Sequence, residues 1–261
     1  MAVERRRHWL RWPRRLVLML GLLLLGPMVV LAFGDLDLQT HWRDAEFRSV
    51  GMAPRPGDFA PALVQVYGAR AYHWRGAFGI HTWITAKRAG ADRYTVYQVI
   101  GWNLRRGRST VSVSHTETPD VTWYGAEPDL LLERRGPDAG RLIEAIEAAV
   151  AAYPYAAEYR VWPGPNSNTF TAFVARRVPE LGLDLPPTAI GKDYLAGGNL
   201  FGSMPSGSGW QVSVLGLLGI GVAWEEGVEL NLLGLSAGLD FNDLALRLPG
   251  LGRIVPSNPP P

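Results

Sequence analysis

The sequence predicts an α+β domain carried behind one N-terminal transmembrane helix. Three observations lead there. Residues 16–33 (LVLMLGLLLLGPMVVLAF) are 18 residues without a charge, enough to cross the core of a bilayer. Residues 62–133 contain several short segments in which apolar and polar side chains alternate, the period of half-buried strands. Residues 137–153 (PDAGRLIEAIEAAVAAY) place Leu142, Ile143, Ile146, Ala149 and Val150 on one stripe, the period of an amphipathic helix.

The apolar run follows a basic head, residues 1–15 (MAVERRRHWLRWPRR). The head holds six arginines and one glutamate, so it carries +5 of a net charge of +2 and leaves −3 for residues 16–261. Positive charge on one flank only orients the segment, with the N-terminus in the cytoplasm and the rest of the chain outside. Trp9 and Trp12 suit the interface, and Gly26-Pro27 is a place for a kink. The competing reading is a cleaved signal peptide, with Val30 and Ala32 small enough for the −3 and −1 positions. The anchor is favoured, because the apolar run and the basic head are both long for a signal peptide. Either way, residues 34–261 are sent across the membrane.

Residues 34–61 are polar, carry Pro and Gly, and read as a linker. A single domain is expected over 62–255. Residues 62–68, 79–87, 93–102 and 109–115 are expected as four strands of an antiparallel meander, with 130–133 as a short fifth. In the second strand Ile80, Thr82, Ile84 and Ala86 share one face, and His81, Trp83 and Thr85 the other. The helix over 137–153 ends at Pro154. Next come an extended run at 159–162, a turn at Pro163-Gly164-Pro165, and a second helix over about 169–178 that Pro179 stops. Residues 182–209 are loop-rich. Residues 210–248 are apolar and punctuated by glycine, and their symmetry about Glu225-Glu226-Gly227 predicts a β-hairpin that leans on the bilayer or covers the core. A second transmembrane helix is the rival there, but 212–224 is only 13 residues and rich in Gly. The tail, 256–261, is expected to be disordered.

Composition excludes several classes. There is no cysteine, hence no disulfide, no thiolate metal site and no cysteine nucleophile. The five histidines, at 8, 41, 73, 81 and 115, show no ligand spacing, so no metal is expected. No Gly-rich phosphate loop follows a strand, and no cofactor is expected. The basic charge is confined to the head, so no nucleic-acid surface is read from it.

The most reactive-looking stretch is 158–178 (EYRVWPGPNSNTFTAFVARRV). Asn166, Ser167, Asn168 and Thr169 gather side-chain oxygens at a helix N-terminus, where free N–H groups and the dipole favour anions. One reading makes Ser167 or Thr169 a nucleophile, His81 its base, and Asn168 or backbone N–H groups the stabilisers of an oxyanion. The other reading is helix capping, for which Asn, Ser and Thr are preferred residues. Lys192 and Asp193 follow in the 182–209 loop. They either hold an anionic group over the turn or pair with each other.

Two resemblances add to this. The segments LVQVYGARAYHWRGAFGIHTWITAK, YTVYQVIGW, YRVWPGPNSNTFTAFVARRVPELGLDLPPTAIGKDYL and EEGVELNLLGL resemble the bacterial domain of unknown function 3750 family. That resemblance implies a membrane-anchored bacterial protein of unassigned activity and supplies no catalytic residues; together with the arginine flank it gives the expectation of an inner-membrane protein with its domain on the outer side. The order of elements is similar to circularly permuted papain-like proteins, the lecithin retinol acyltransferase-like group among them. There a strand His precedes an Asn-Cys at a helix N-terminus. His81 and Asn168 match, and Thr169 stands where the cysteine would be, without a thiolate to offer. The expectation is an envelope binding or structural domain, with a hydrolase or acyltransferase using His81 and a hydroxyl as the alternative. Its envelope ligand is not readable from the sequence.

Overall fold

The computed structural model describes residues 2–256, with side chains from residue 13 onward. Trp9 and Trp12 fall outside the described side chains, and all but the first residue of the expected disordered tail falls outside the described residues. The chain is α+β and antiparallel throughout. It begins with α1 (Ala2–Phe33). Within α1, Pro13–Phe33 is long and apolar enough to cross a membrane.

A five-stranded sheet follows, built from β1 (Leu63–Arg70), β2 (Ile80–Lys87), β3 (Tyr94–Val99), β4 (Val111–Thr116) and β5 (Pro128–Arg135). The spatial order is β4-β3-β2-β1-β5. Four strands form the expected meander. The fifth closes the other edge, pairing Leu132 with Val66 and Arg135 with Leu63. Gly90, at φ +71°, makes the β2–β3 turn in a backbone region that costs glycine little.

α2 (Pro137–Ala151) and α3 (Ser167–Arg177) cover one face of this sheet. The α2 stripe packs with Val64, Val66, Ile84, Ala86 and Val99, and α3 adds Phe170, Phe173 and Val174 to the same core. The other face is covered too, which the expected linker did not foresee. The later part of 34–61 lies under the sheet. Met52 N and Ala53 N donate to the buried Asp120 carboxylate at 2.6 and 3.1 Å, and Tyr94 OH donates to Pro54 O at 2.7 Å. Tyr67 and Trp83 stack between these layers.

The extended run expected at 159–162 is not a strand. No neighbour pairs with it, and its backbone turns back on itself through Arg160 N to Pro165 O at 2.8 Å. Residues 182–209 are loop with one short 3-10 turn, Ala196–Gly198, and one strand, β6 (Phe201–Ser203).

The hairpin about Glu225-Glu226-Gly227 is present, as the centre of something larger. β6, β7 (Gly209–Val214), β8 (Leu218–Ala223), β9 (Gly227–Leu232), β10 (Leu235–Leu239), β11 (Leu246–Leu248) and β12 (Gly252–Ile254) form a seven-stranded sheet in chain order. Its two faces are reversed from the usual arrangement. Gln211, Ser213, Glu229, Asn231, Ser236 and Arg247 point inward and are buried. The outward positions are apolar and paired across strands: Val212 with Ile220, Ile220 with Leu230, Leu239 with Leu246, Leu246 with Ile254.

Candidate functional site

The turn at 163–165 delivers Asn166 as the N-cap of α3. Its Oδ1 accepts from Asn168 N at 3.0 Å and Thr169 N at 3.1 Å. Thr169 Oγ1 accepts in return from Asn166 N at 3.1 Å, which completes a capping box. The remaining polar atoms reach the 186–193 loop. Thr169 Oγ1 donates to Gly191 O at 2.9 Å. Asn166 Nδ2 donates to Ile190 O at 3.0 Å and to Val161 O at 3.1 Å. Asn168 Nδ2 donates to Ile190 O at 2.8 Å and to Ile80 O at 3.0 Å.

The loops pack closely against this terminus. A Cβ on Gly191 would stand 2.5 Å from the Asn166 amide, and one on Gly164 would stand 2.7 Å from Thr169 Oγ1. Two of the N-terminal amides of α3, those of Asn168 and Thr169, already face Asn166 Oδ1.

His81 does not join this group, and the catalytic pairing is corrected accordingly. β2 alternates, so adjacent residues face opposite sides of the sheet. The residue that meets α3 is Thr82, with Oγ1 3.0 Å from Asn168 Oδ1 and 2.9 Å from Thr171 Oγ1. His81 lies on the far face. Its Nε2 is 3.0 Å from Gln98 Oε1, and its ring stacks on Trp123 at 3.7 Å and 9°. Burial lowers its pKa to about 4, against a smaller rise from the Gln98 bond. It is a neutral, packed imidazole. Ser167 is buried at the first helical position, and no hydrogen bond joins it or Thr169 to His81.

Lys192 and Asp193 do pair, at 3.1 Å, as one link of a larger buried network. Lys192 Nζ also donates to Glu229 Oε2. Arg247 Nε donates to Glu229 Oε1 at 2.6 Å, and its two terminal nitrogens take both oxygens of Asp184 at 2.7 and 2.6 Å. Asp193 Oδ2 accepts from Asn231 Nδ2 at 2.6 Å and Ser236 Oγ at 3.1 Å. Arg176, on α3, donates to Lys192 O at 2.7 Å and Ser203 O at 2.8 Å.

Lys192 and Arg247 thus pair with Asp193, Glu229 and Asp184, and Arg176 ties the network to α3 through backbone carbonyls. Burial alone would lower the Lys192 pKa, but Asp193 and Glu229 hold it above the ordinary value. Burial would raise Asp193, but Lys192 and the Asn231 bond hold it low. Lys192 and Asp193 therefore both keep their charges. The cavity among Asp193, Gln211, Glu229 and Asn231 is about 10 Å³, space for one water molecule at most. Sequence reasoning missed Asp184, Arg176, Glu229, Asn231 and Arg247. A signal existed: Glu229, Asn231 and Arg247 stand at alternate positions in otherwise apolar runs, VELNL and LRL.

A more open cleft lies elsewhere, between the β2–β3 hairpin, β4 and α2. It measures about 310 Å³ and is lined by Arg88, Arg93, Thr95, Tyr97, His115 and Glu147, among others. Arg88 and Tyr97 already engage Glu147, at 2.6 and 3.2 Å, whereas Arg93 has no carboxylate partner within 4 Å among the described residues. No cluster of metal-ligating side chains occurs among the described residues.

These features define an α+β domain behind an apolar helix, whose tightest polar site fastens its own loops. The chain belongs to the family described as "Protein of unknown function (DUF3750)", whose model matches residues 61–194. That span runs from β1 to the Lys192-Asp193 pair and stops before the seven-stranded sheet. No curated protein and no solved structure matches the chain.

Proposed function

We propose that this chain is a membrane-anchored domain of the bacterial cell envelope that binds or holds a partner and carries out no reaction at the α3 N-terminus. One observation carries the reading. The side-chain amides and the Thr169 hydroxyl at that terminus are committed to capping α3 and gripping Ile190 and Gly191, while His81 is turned to the opposite face. A hydroxyl becomes a useful nucleophile only with a base in reach. The open cleft beside Arg93 and His115 offers the more accessible surface for a ligand.

The anchor is α1, and its arginine-rich N-terminal flank supports an N-terminus in the cytoplasm and a domain on the periplasmic side of the inner membrane. Alkaline phosphatase fused to the C-terminus tests the orientation, and high activity is expected. A fusion that is inactive, while a cytoplasmic fluorescent protein at the same place is bright, contradicts it. For the chemistry, full-length protein is assayed against acyl-ester and peptidoglycan substrates beside His81→Ala. No turnover above buffer is expected from either. Turnover that His81→Ala abolishes without unfolding the protein would overturn the non-catalytic reading.

A further inference from the structure

The seven-stranded sheet is built inside out. Its inward face carries the ion network. Its outward face carries valine, leucine, isoleucine and tryptophan across every strand pair. Trp210 is 76% exposed, Trp224 75%, Leu218 56% and Leu230 58%. Water-soluble domains rarely leave so continuous an apolar surface bare. Alternation within a strand says that the two faces meet different surroundings. Here the polar face meets protein and the apolar face needs another apolar phase.

The contact with α1 indicates which phase. The β11–β12 turn packs on α1 so closely that a Cβ on Gly26 would stand 2.0 Å from Pro249 O, and one on Gly250 would stand 2.6 Å from Pro27 N. Arg70 secures the joint, its NH1 donating to Gly250 O at 2.6 Å and Gly76 O at 3.0 Å. Gly26 and Pro27 are not at the end of the apolar span. They lie six to seven residues before Phe33, about 10 Å along the helix. If α1 spans the bilayer, this edge of the sheet sits below the surface of the hydrocarbon. Trp210 and Trp224 stand at the opposite end of the strands from the β11–β12 turn, where indole rings suit the headgroup layer.

We infer that the outward face of the seven-stranded sheet is a lipid-binding surface, immersed in the leaflet that the C-terminal half of α1 crosses. The inference rests on the anchor reading. It adds that the domain lies in the membrane surface instead of standing off it on a tether. Every strand of the sheet but β6 and β12 is paired on both sides, so the backbone of the five inner strands is satisfied without water.

The chain has no cysteine, so single labels are simple to place. Full-length protein carrying Leu25→Cys (α1), Ile220→Cys (β8), Leu230→Cys (β9) or Glu144→Cys (α2) is labelled with an environment-sensitive fluorophore. Each is reconstituted into phosphatidylethanolamine/phosphatidylglycerol vesicles with or without acyl-chain nitroxide lipid. The expected result is at least twofold quenching by the lipid nitroxide at 25, 220 and 230, and none at 144. If the label at 25 is quenched while 220 and 230 respond only to aqueous iodide, the sheet stands in water and the inference is overturned with the anchor intact. If 220 and 230 are shielded from both quenchers, a protein surface such as a second copy covers the face, and the inference is again overturned. Quenching at 220 and 230 without quenching at 25 upholds the sheet and removes the anchor. No lipid quenching anywhere removes both.

Discussion

His81 shows how a reactive side chain is made inert. It stacks on Trp123, bonds to Gln98 and titrates near 4, against an ordinary value near 6.5. Because the folded pKa is the lower, the unfolded chain takes up a proton first as pH falls. The stability held by the neutral ring is present above about pH 6.5 and is lost as pH falls toward 4. About 2 kcal/mol of that loss is expected between pH 7 and 5. Urea unfolding in detergent at several pH values measures it, and His81→Gln should flatten that stretch of the profile. A slope unchanged by the substitution would mean that the ring is solvated. The two-residue period of β2 already separated Thr82 from His81 in the sequence. It could not say that both faces would be covered, because the cover for the second comes from Met52, Trp123 and their neighbours, far away in the chain.

Among the elements, α3 and the loop that follows it bind the two sheets together. The cap residues hold Ile190 and Gly191, and the next residues, Lys192 and Asp193, enter the ion network of β9, β10 and β11. A buried pair is costly to break because the remaining partner is left charged without water. Lys192→Met is therefore expected to destabilise the protein by about 3–5 kcal/mol, read as a shift in urea midpoint. Lys192→Met with Asp193→Asn restores the balance of charge and should recover at least about 1 kcal/mol of that loss. Equal loss in the single and double variants would mean that the network is solvated. The helix stripe of α2, the meander and the turn at Glu225-Glu226-Gly227 were all legible, since each is a local period or a local break. The ion network was not, because its members come from positions 176 to 247 and only the fold brings them together.

At the scale of the whole molecule, the seven-stranded sheet reverses the rule by which such a sequence is usually read. Alternation along β7 identifies two unlike faces: Trp210, Val212 and Val214 on one, Gln211 and Ser213 on the other. Which face turns inward depends on the surroundings, and in water the apolar set would be expected inside. The structure puts the polar set inside, against Asp193 and its partners. The proposed lipid contact would give that choice an apolar medium outside and would tie the sheet to the helix that precedes it. The match to the family ends at 194, yet the charges it encloses are completed by Glu229 and Arg247 beyond it. The matched segment and the sheet therefore depend on each other. The most direct measurement is a spin-label scan of β7, one cysteine at a time from 211 to 214, in full-length protein in lipid nanodiscs. Labels at 212 and 214 should be accessible to oxygen and closed to a water-soluble nickel chelate, and those at 211 and 213 closed to both. Nickel access at 212 and 214, or oxygen access at 211 and 213 in place of them, would contradict a sheet that turns its apolar face to lipid.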